Sequence, residues 1–202
     1  MVERQLRGRG IEDERVLAAM GRVPRESFVD DDDRIRAYDD GPVVIGFGQT
    51  MSQPYMVALI CETAAVRPGH RVLDIGTGSG YQAAVLAEMG ATVHTIERIP
   101  ELGDKARKRL DEAGYRQVAL HVGDGTLGLP EAAPFDAITV AAAAPDLPSS
   151  LYDQLVPRGR LVVPVGGPQG QRLEVVVRSP EGPAVVHSVS CRFVPLVGAE
   201  GF

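Results

Sequence analysis

The residues of this chain best suited to chemistry are three acids and a short run of glycines. Val72-Leu73-Asp74-Ile75 runs directly into Gly76-Thr77-Gly78-Ser79-Gly80-Tyr81. Glycines there permit a tight turn and let the backbone approach a ligand closely. A helix beginning just beyond them would offer free N–H groups and a positive dipole end to an anionic group. Glu97, with Arg98 beside it, closes the next apolar run, and Gly123-Asp124-Gly125 follows the one after. An acid in the position of Glu97 can accept hydrogen bonds from both hydroxyls of a ribose. Asp124 is placed to accept from an adenine amino group at the same rim.

The spacing narrows the ligand. Gly76-x-Gly78-x-Gly80 is not the Gly-x-Gly-x-x-Gly of a pyrophosphate cradle, and Asp74 would stand awkwardly near a pyrophosphate. It suits a ligand with an ammonium group whose carboxylate can use the loop N–H groups. S-adenosylmethionine is such a ligand, leaving as S-adenosylhomocysteine after methyl transfer. The expected cofactor residues are Asp74, Gly76, Thr77, Gly78, Ser79, Gly80, Glu97, Arg98, Asp124 and Gly125.

Other chemistries lack their residues. The four histidines (His70, His94, His121, His187) stand apart in sequence, so no metal-ligand spacing is expected. Cys61 and Cys191 have no CxxC partner and cannot build a disulfide framework, which points to a reducing compartment. No signal-type apolar segment opens the chain, and no apolar run nears the roughly 20 residues of a membrane helix. The expectation is a cytoplasmic protein that engages no membrane. A formal net charge of −6 argues against a nucleic-acid partner. At 44% hydrophobic and 24% charged, the composition is that of a globular domain.

These residues need a frame, and the pattern supplies one. The chain reads as a single domain over 1–202. It has an N-terminal helical and loop region (1–69), a cofactor-binding core (70–166) and C-terminal strands (167–202). Residues 1–20 read as helical, with Asp13 expected to cap a short helix through Met20, which Val23-Pro24-Arg25 breaks. Residues 38–54 read as a long ordered loop, and Pro54 as the first turn of a helix running to about Val66. Strands are expected at 70–75, 91–96, 118–122, 135–140 and 160–165. Helices are expected at 81–89, 100–113 and 147–155. Such alternation predicts a doubly wound α/β sheet of parallel strands. Residues 172–178 and 184–190 read as an antiparallel hairpin added at one edge.

Several blocks carry a specific resemblance. Gly48-Gln49-Thr50-Met51-Ser52-Gln53-Pro54-Tyr55, Val72–Gln82, Gly123–Thr126, Ala132-Ala133-Pro134-Phe135-Asp136 and Arg192-Phe193-Val194-Pro195-Leu196 resemble the protein-L-isoaspartate O-methyltransferase family. So do Gln5-Leu6, Arg9-Gly10-Ile11 and Val23-Pro24-Arg25. The first block is the most diagnostic. The resemblance implies a Rossmann-like S-adenosylmethionine-dependent methyltransferase that esterifies the free α-carboxylate of L-isoaspartyl residues in damaged proteins. It implies that Ser52 is the catalytic-site hydroxyl. It places Gln49, Thr50, Gln53, Ala142, Val194 and Pro195 on the peptide side. The departures are small: Asp74 stands where the family more often has Glu, Met51 replaces a common Ile, and Cys191 precedes the last block.

A carboxylate is already ionised at neutral pH, so attack on a sulfonium methyl needs orientation and desolvation more than a strong base. Ser52 is expected to donate a hydrogen bond to that carboxylate; a helix N-cap is its other reading. Thr50 and Gln53 either hold the substrate backbone or order their own loop. The rival functions are an NAD-dependent oxidoreductase, a binding module without chemistry, and a peptide carboxyl methyltransferase acting on a dedicated biosynthetic peptide. A monomer is expected.

Overall fold

The computed structural model describes residues 1–202 and contains one seven-stranded sheet, one two-stranded sheet and five α-helices. In chain order they are α1 (Glu14–Arg22), β1 (Val43–Gly46), β2 (Gln49–Met51), α2 (Pro54–Thr63), β3 (Arg71–Ile75) and α3 (Tyr81–Glu88). Then come β4 (Thr92–Glu97), α4 (Pro100–Glu112), β5 (Ala119–Val122), β6 (Phe135–Val140), α5 (Ser149–Asp153), β7 (Leu155–Gly167), β8 (Gly170–Ser179) and β9 (Gly182–Cys191). The large sheet runs β5-β4-β3-β6-β7-β8-β9. β5 through β7 are parallel, and β8 and β9 add antiparallel. The expected doubly wound sheet with an edge hairpin is therefore the fold.

Strand order reverses between β3 and β6, which opens a crevice beyond their C-terminal ends, the place where such sheets bind ligands. The pleat assigns each side chain to a face. Val72, Val93, Ala137 and Val162 meet α1, α2 and α3 in the larger core. Leu73, Ile75, Ile138, Val140 and Leu161 meet Leu151 of α5 and Leu196 in the other.

Capping follows the sequence reading. Asp13 accepts from the Arg15 amide at 2.9 Å and starts α1, and Pro54 opens α2. Gly114 follows the end of α4 at φ 91°, where a side chain would be strained.

The structure corrects four expectations. Residues 38–54 are not simply a loop, because β1 and β2 pair as a hairpin. Val43, Ile45 and Met51 are buried while Val44 is exposed, a period of two that the neighbouring glycines and prolines mask. Residues 1–9 form single π- and 3-10 turns rather than a continuation of α1. The helix expected at 147–155 shrinks to α5, because Leu155 already pairs with Phe135 across a bulge. His94 and His121 are not isolated: their rings stack across β4 and β5, with Nδ1 and Nε2 3.3 Å apart.

Candidate active site

The glycine loop leaves β3 at the switch point. Gly76, Gly78 and Gly80 all have positive φ. A side chain at Gly78 would press within 3.3 Å of Ile45 in the β1–β2 hairpin. The loop is therefore clasped between the sheet and that hairpin. Gly76, Thr77, Gly78 and Ser79 line an open cavity of about 930 Å³, together with Glu97, Arg98 and Gly125. Gly80 does not line it. Its absent side chain makes room for Leu110 of α4, 3.2 Å from where a Cβ would stand, so this glycine serves helix packing.

Asp74 departs from its expected role. Val72 and Asp74 share a parity on β3, so the carboxylate points under α3 instead of into the crevice. It lies in register with Thr95 on β4 and Thr139 on β6. It accepts from Thr139 Oγ1 at 2.9 Å, Thr95 Oγ1 at 3.0 Å and Gln82 Nε2 at 2.7 Å. Asp74 is fully buried and outside the cavity wall. Burial lifts its pKa to about 6, against the three hydrogen bonds that favour the ionised form. The acid thus ties three strands and α3 together beneath the loop. Gln82 stands between it and the cavity, since Gln82 does line that wall.

Glu97 stands where the sequence expected it. Its Oε2 accepts from the Gly78 amide at 2.8 Å and its Oε1 from the Ile99 amide at 3.0 Å. Both bonds fix the carboxylate at the cavity wall, and each oxygen keeps acceptor capacity for a ligand hydroxyl. Asp124 does not reach the wall. One oxygen takes the Thr126 amide and hydroxyl, and the other takes the Ala199 amide at 2.8 Å. Those bonds hold its pKa below the usual carboxylate range, although burial opposes them. The C-terminal residues therefore occupy the acid that the sequence assigned to adenine. Its neighbour Gly125 lines the cavity.

A second pocket of about 1490 Å³ adjoins the first. Thr50, Ser52, Ala141 and Val194 line both. Ser52 therefore stands at the junction, and its hydroxyl makes no hydrogen bond within the chain. The N-cap reading of Ser52 fails: the cap residue of α2 is Gln53, and no side chain closes that turn. Gln53 reaches Asp40, with Nε2 2.7 Å from Oδ1, and lines only the second pocket. Gln49 bonds the Phe47 carbonyl and lines the first. Ala142 and Pro195 also line the first. Residues 194–196 are docked there by the Ala143 amide on the Val194 carbonyl and the Leu196 amide on the Ala143 carbonyl.

The sequence reading missed several wall residues. Tyr81 and Gln82 open α3 and face the first cavity, and Val197 closes it from the C-terminal side. Arg9, Tyr55 and Arg192 line the second pocket, with the Arg9 guanidinium 3.8 Å above the Tyr55 ring. Arg25, expected only within a helix break and a family-like block, is fully buried behind Ser52. Period and composition give no signal for a buried arginine; only the block that contains it could have drawn notice. No three metal-binding side chains come together.

The family model described as protein-L-isoaspartate(D-aspartate) O-methyltransferase (PCMT) matches residues 1–201. A protein-L-isoaspartate O-methyltransferase 2 of Marinobacter nauticus is 55% identical, covering 100% of this chain and 93% of the relative. A protein-L-isoaspartate O-methyltransferase of Gloeobacter violaceus is 53% identical, over 97% of this chain and 96% of its own. Among solved structures, a Plasmodium falciparum beta-aspartate methyltransferase in complex with S-adenosyl-L-homocysteine is similar with a TM-score of 0.84. It is 27% identical over 97% of this chain and 96% of that one.

Proposed function

The chain belongs to the protein-L-isoaspartate(D-aspartate) O-methyltransferase family, and we propose that its two adjoining pockets are the cofactor and peptide halves of one site meeting at Ser52. The enzyme is an S-adenosylmethionine-dependent protein methyltransferase of the repair type, acting on the free α-carboxylate of L-isoaspartyl residues. The observation that carries the two-pocket reading is the set of four residues lining both cavities, with an unengaged hydroxyl among them.

The first cavity fits the cofactor. Gly76 and Gly78, both at positive φ, line it without side chains, and Glu97 presents acceptors at its wall. Gly76, Thr77, Gly78, Ser79, Glu97, Arg98 and Gly125 would hold it. S-adenosylmethionine, when bound, supplies an electrophilic methyl on a sulfonium. The remaining work belongs to the chain. Thr50 and Ser52 orient the attacking carboxylate, Ser52 by donating its hydroxyl proton in a hydrogen bond. The docked Val194-Pro195 segment and Ala142 exclude water from the junction. Orientation of two bound groups at near-attack distance can contribute about 7–11 kcal/mol, and the attacking carboxylate, already ionised at neutral pH, needs no general base. Asp74 and Asp124 act at a distance, as anchors of the loop and of the C-terminal segment.

The peptide side consists of Gln53, Thr50, Val194 and the Arg9–Tyr55 pair. We further infer a single cytoplasmic domain acting as a monomer. No helix is long and apolar enough to cross a membrane. The test pairs labelled S-adenosylmethionine with two matched peptides, one L-isoaspartyl and one L-aspartyl. Base-labile label on the isoaspartyl peptide alone is the expected result, and label on both or neither refutes the reading. In the same assay Ser52→Ala is expected to cut turnover about tenfold, the worth of one hydrogen bond to a charged group. Its affinity for S-adenosylhomocysteine should stay within about twofold of the parent's.

A further inference from the structure

The Arg25 side chain is fully buried, yet it takes part in none of the chain's ion pairs. Arginine stays protonated in proteins, so this is a buried cation without a carboxylate. Burial pushes its pKa down, and Tyr81 and Tyr38 offset that only in part. Such a group is costly to stability, and an apolar side chain of similar size is often no worse there. What the guanidinium contributes is geometry. Its Nε donates to the Ala37 carbonyl at 2.6 Å and its Nη2 donates to the Ser52 carbonyl at 2.6 Å. Its Cζ lies 4.7 Å from the centroid of the Tyr81 ring, and Phe28 meets the same ring edge-on. Tyr81 is the first residue of α3, directly after the glycine loop, and it lines the cofactor cavity. One planar fork therefore joins the segment carrying Ser52 to the helix that receives the cofactor loop.

We propose that Arg25 is a positioning residue for methyl transfer, setting the distance between the Ser52 hydroxyl and the cofactor loop by gripping the Ser52 main chain while resting on Tyr81. The inference rests on Ser52 being the group beside the reacting carboxylate. Arg25 touches no reacting atom; it acts through Ser52. Lysine cannot replace it, because a single ammonium cannot hold two carbonyls in the fixed directions of a planar fork. The Arg25 Nη1 and the Tyr81 hydroxyl are both buried without partners, so the fork is held by shape at that side and not by further bonds.

The test compares Arg25→Lys and Arg25→Met with Ser52→Ala and with the two double variants. Arg25→Met guards against loss of folding, since an apolar residue of like volume is tolerated in buried charged sites. Both Arg25 variants are expected to bind S-adenosylhomocysteine within about threefold of the parent, measured by calorimetry. Their kcat should fall up to about tenfold, no further than Ser52→Ala, because the whole effect passes through that hydroxyl. Combined with Ser52→Ala, either should cost little more than Ser52→Ala alone, because a misplaced hydroxyl and a missing one are the same loss. Three results overturn the proposal. Full kcat in both Arg25 variants refutes it alone, leaving Ser52 in place. Effects that multiply in the double variants show that Arg25 does not act through Ser52. Full turnover in Ser52→Ala removes the Ser52 reading and this inference with it.

Discussion

The proposed cofactor pocket and the proposed peptide pocket are built differently. The first comes mostly from consecutive strand ends of one parallel sheet: Gly76–Ser79 after β3, Glu97 after β4 and Gly125 after β5. The second gathers residues far apart in the chain: Arg9, Ser52–Tyr55, Ala141 and Val189–Val194. A pocket made of strand ends inherits its geometry from backbone pairing. A pocket made of distant segments depends on side chains that clamp those segments, such as Arg25 on Ser52 and Gln53 on Asp40. Damage to the first should therefore abolish cofactor binding, while damage to the second should spare binding and impair turnover or peptide affinity.

The largest expected effect is Gly80→Val. A β-branched residue at φ 92°, aimed at Leu110, is strained by several kcal/mol. Affinity for S-adenosylhomocysteine should fall at least about a hundredfold by calorimetry. Unchanged affinity would show that loop geometry does not set the cofactor site.

Glu97→Ala comes next. It frees the Gly78 and Ile99 amides and removes the wall acceptor. The expected loss is about 10- to 100-fold in the same titration, the size of one or two charge-assisted bonds. A change confined to the peptide KM would contradict the division between the pockets.

Asp74→Asn sharpens the contrast through pH. The folded-state pKa is about 6 against an ordinary 3.8, so the folded protein holds this proton more tightly than the unfolded chain. That contribution is fully present below about pH 4, declines as pH rises, and is gone above about pH 6. Its size is about 3 kcal/mol at 1.36 kcal/mol per unit. Denaturant unfolding across pH 4–7 should show the parent losing this stability relative to Asp74→Asn. Parallel pH profiles for the two proteins would mean that Asp74 is not the buried acid described.

The smallest effect belongs to Arg9→Ala on the peptide side. It removes an exposed cation over Tyr55 and an ion pair to Asp40. The peptide KM should rise about two- to fivefold, with kcat and cofactor affinity unchanged. A loss of cofactor affinity instead would join two pockets that the geometry separates.

Most of the proposed cofactor pocket was legible in the sequence because its residues follow apolar runs at regular intervals. Gly76–Ser79, Glu97 and Gly125 all line that cavity. Asp74 and Asp124 were misassigned for one reason: a strand-end position does not say which way the side chain points. Parity on β3 turns Asp74 under α3, and Asp124 is taken by the Ala199 amide from the far end of the chain. Ser52 was found through its motif, but its freedom from capping duty was not, since that depended on where α2 begins. Arg25, Tyr81 and Arg9 lie in family-like blocks but were missed as site residues, because neither period nor spacing says which side chains of a block reach a cavity.

The sequence by itself determined the alternation of strands and helices, the turn at Gly76–Gly80 and the acid at Glu97. Each of these depends on backbone sterics or a short-range period. Tertiary structure alone decided that Asp74 is an anchor, that 190–197 meets 50–55 and that a buried guanidinium lies behind Ser52. Those outcomes depend on which distant surfaces must cover one another to exclude water. No short-range pattern encodes that choice.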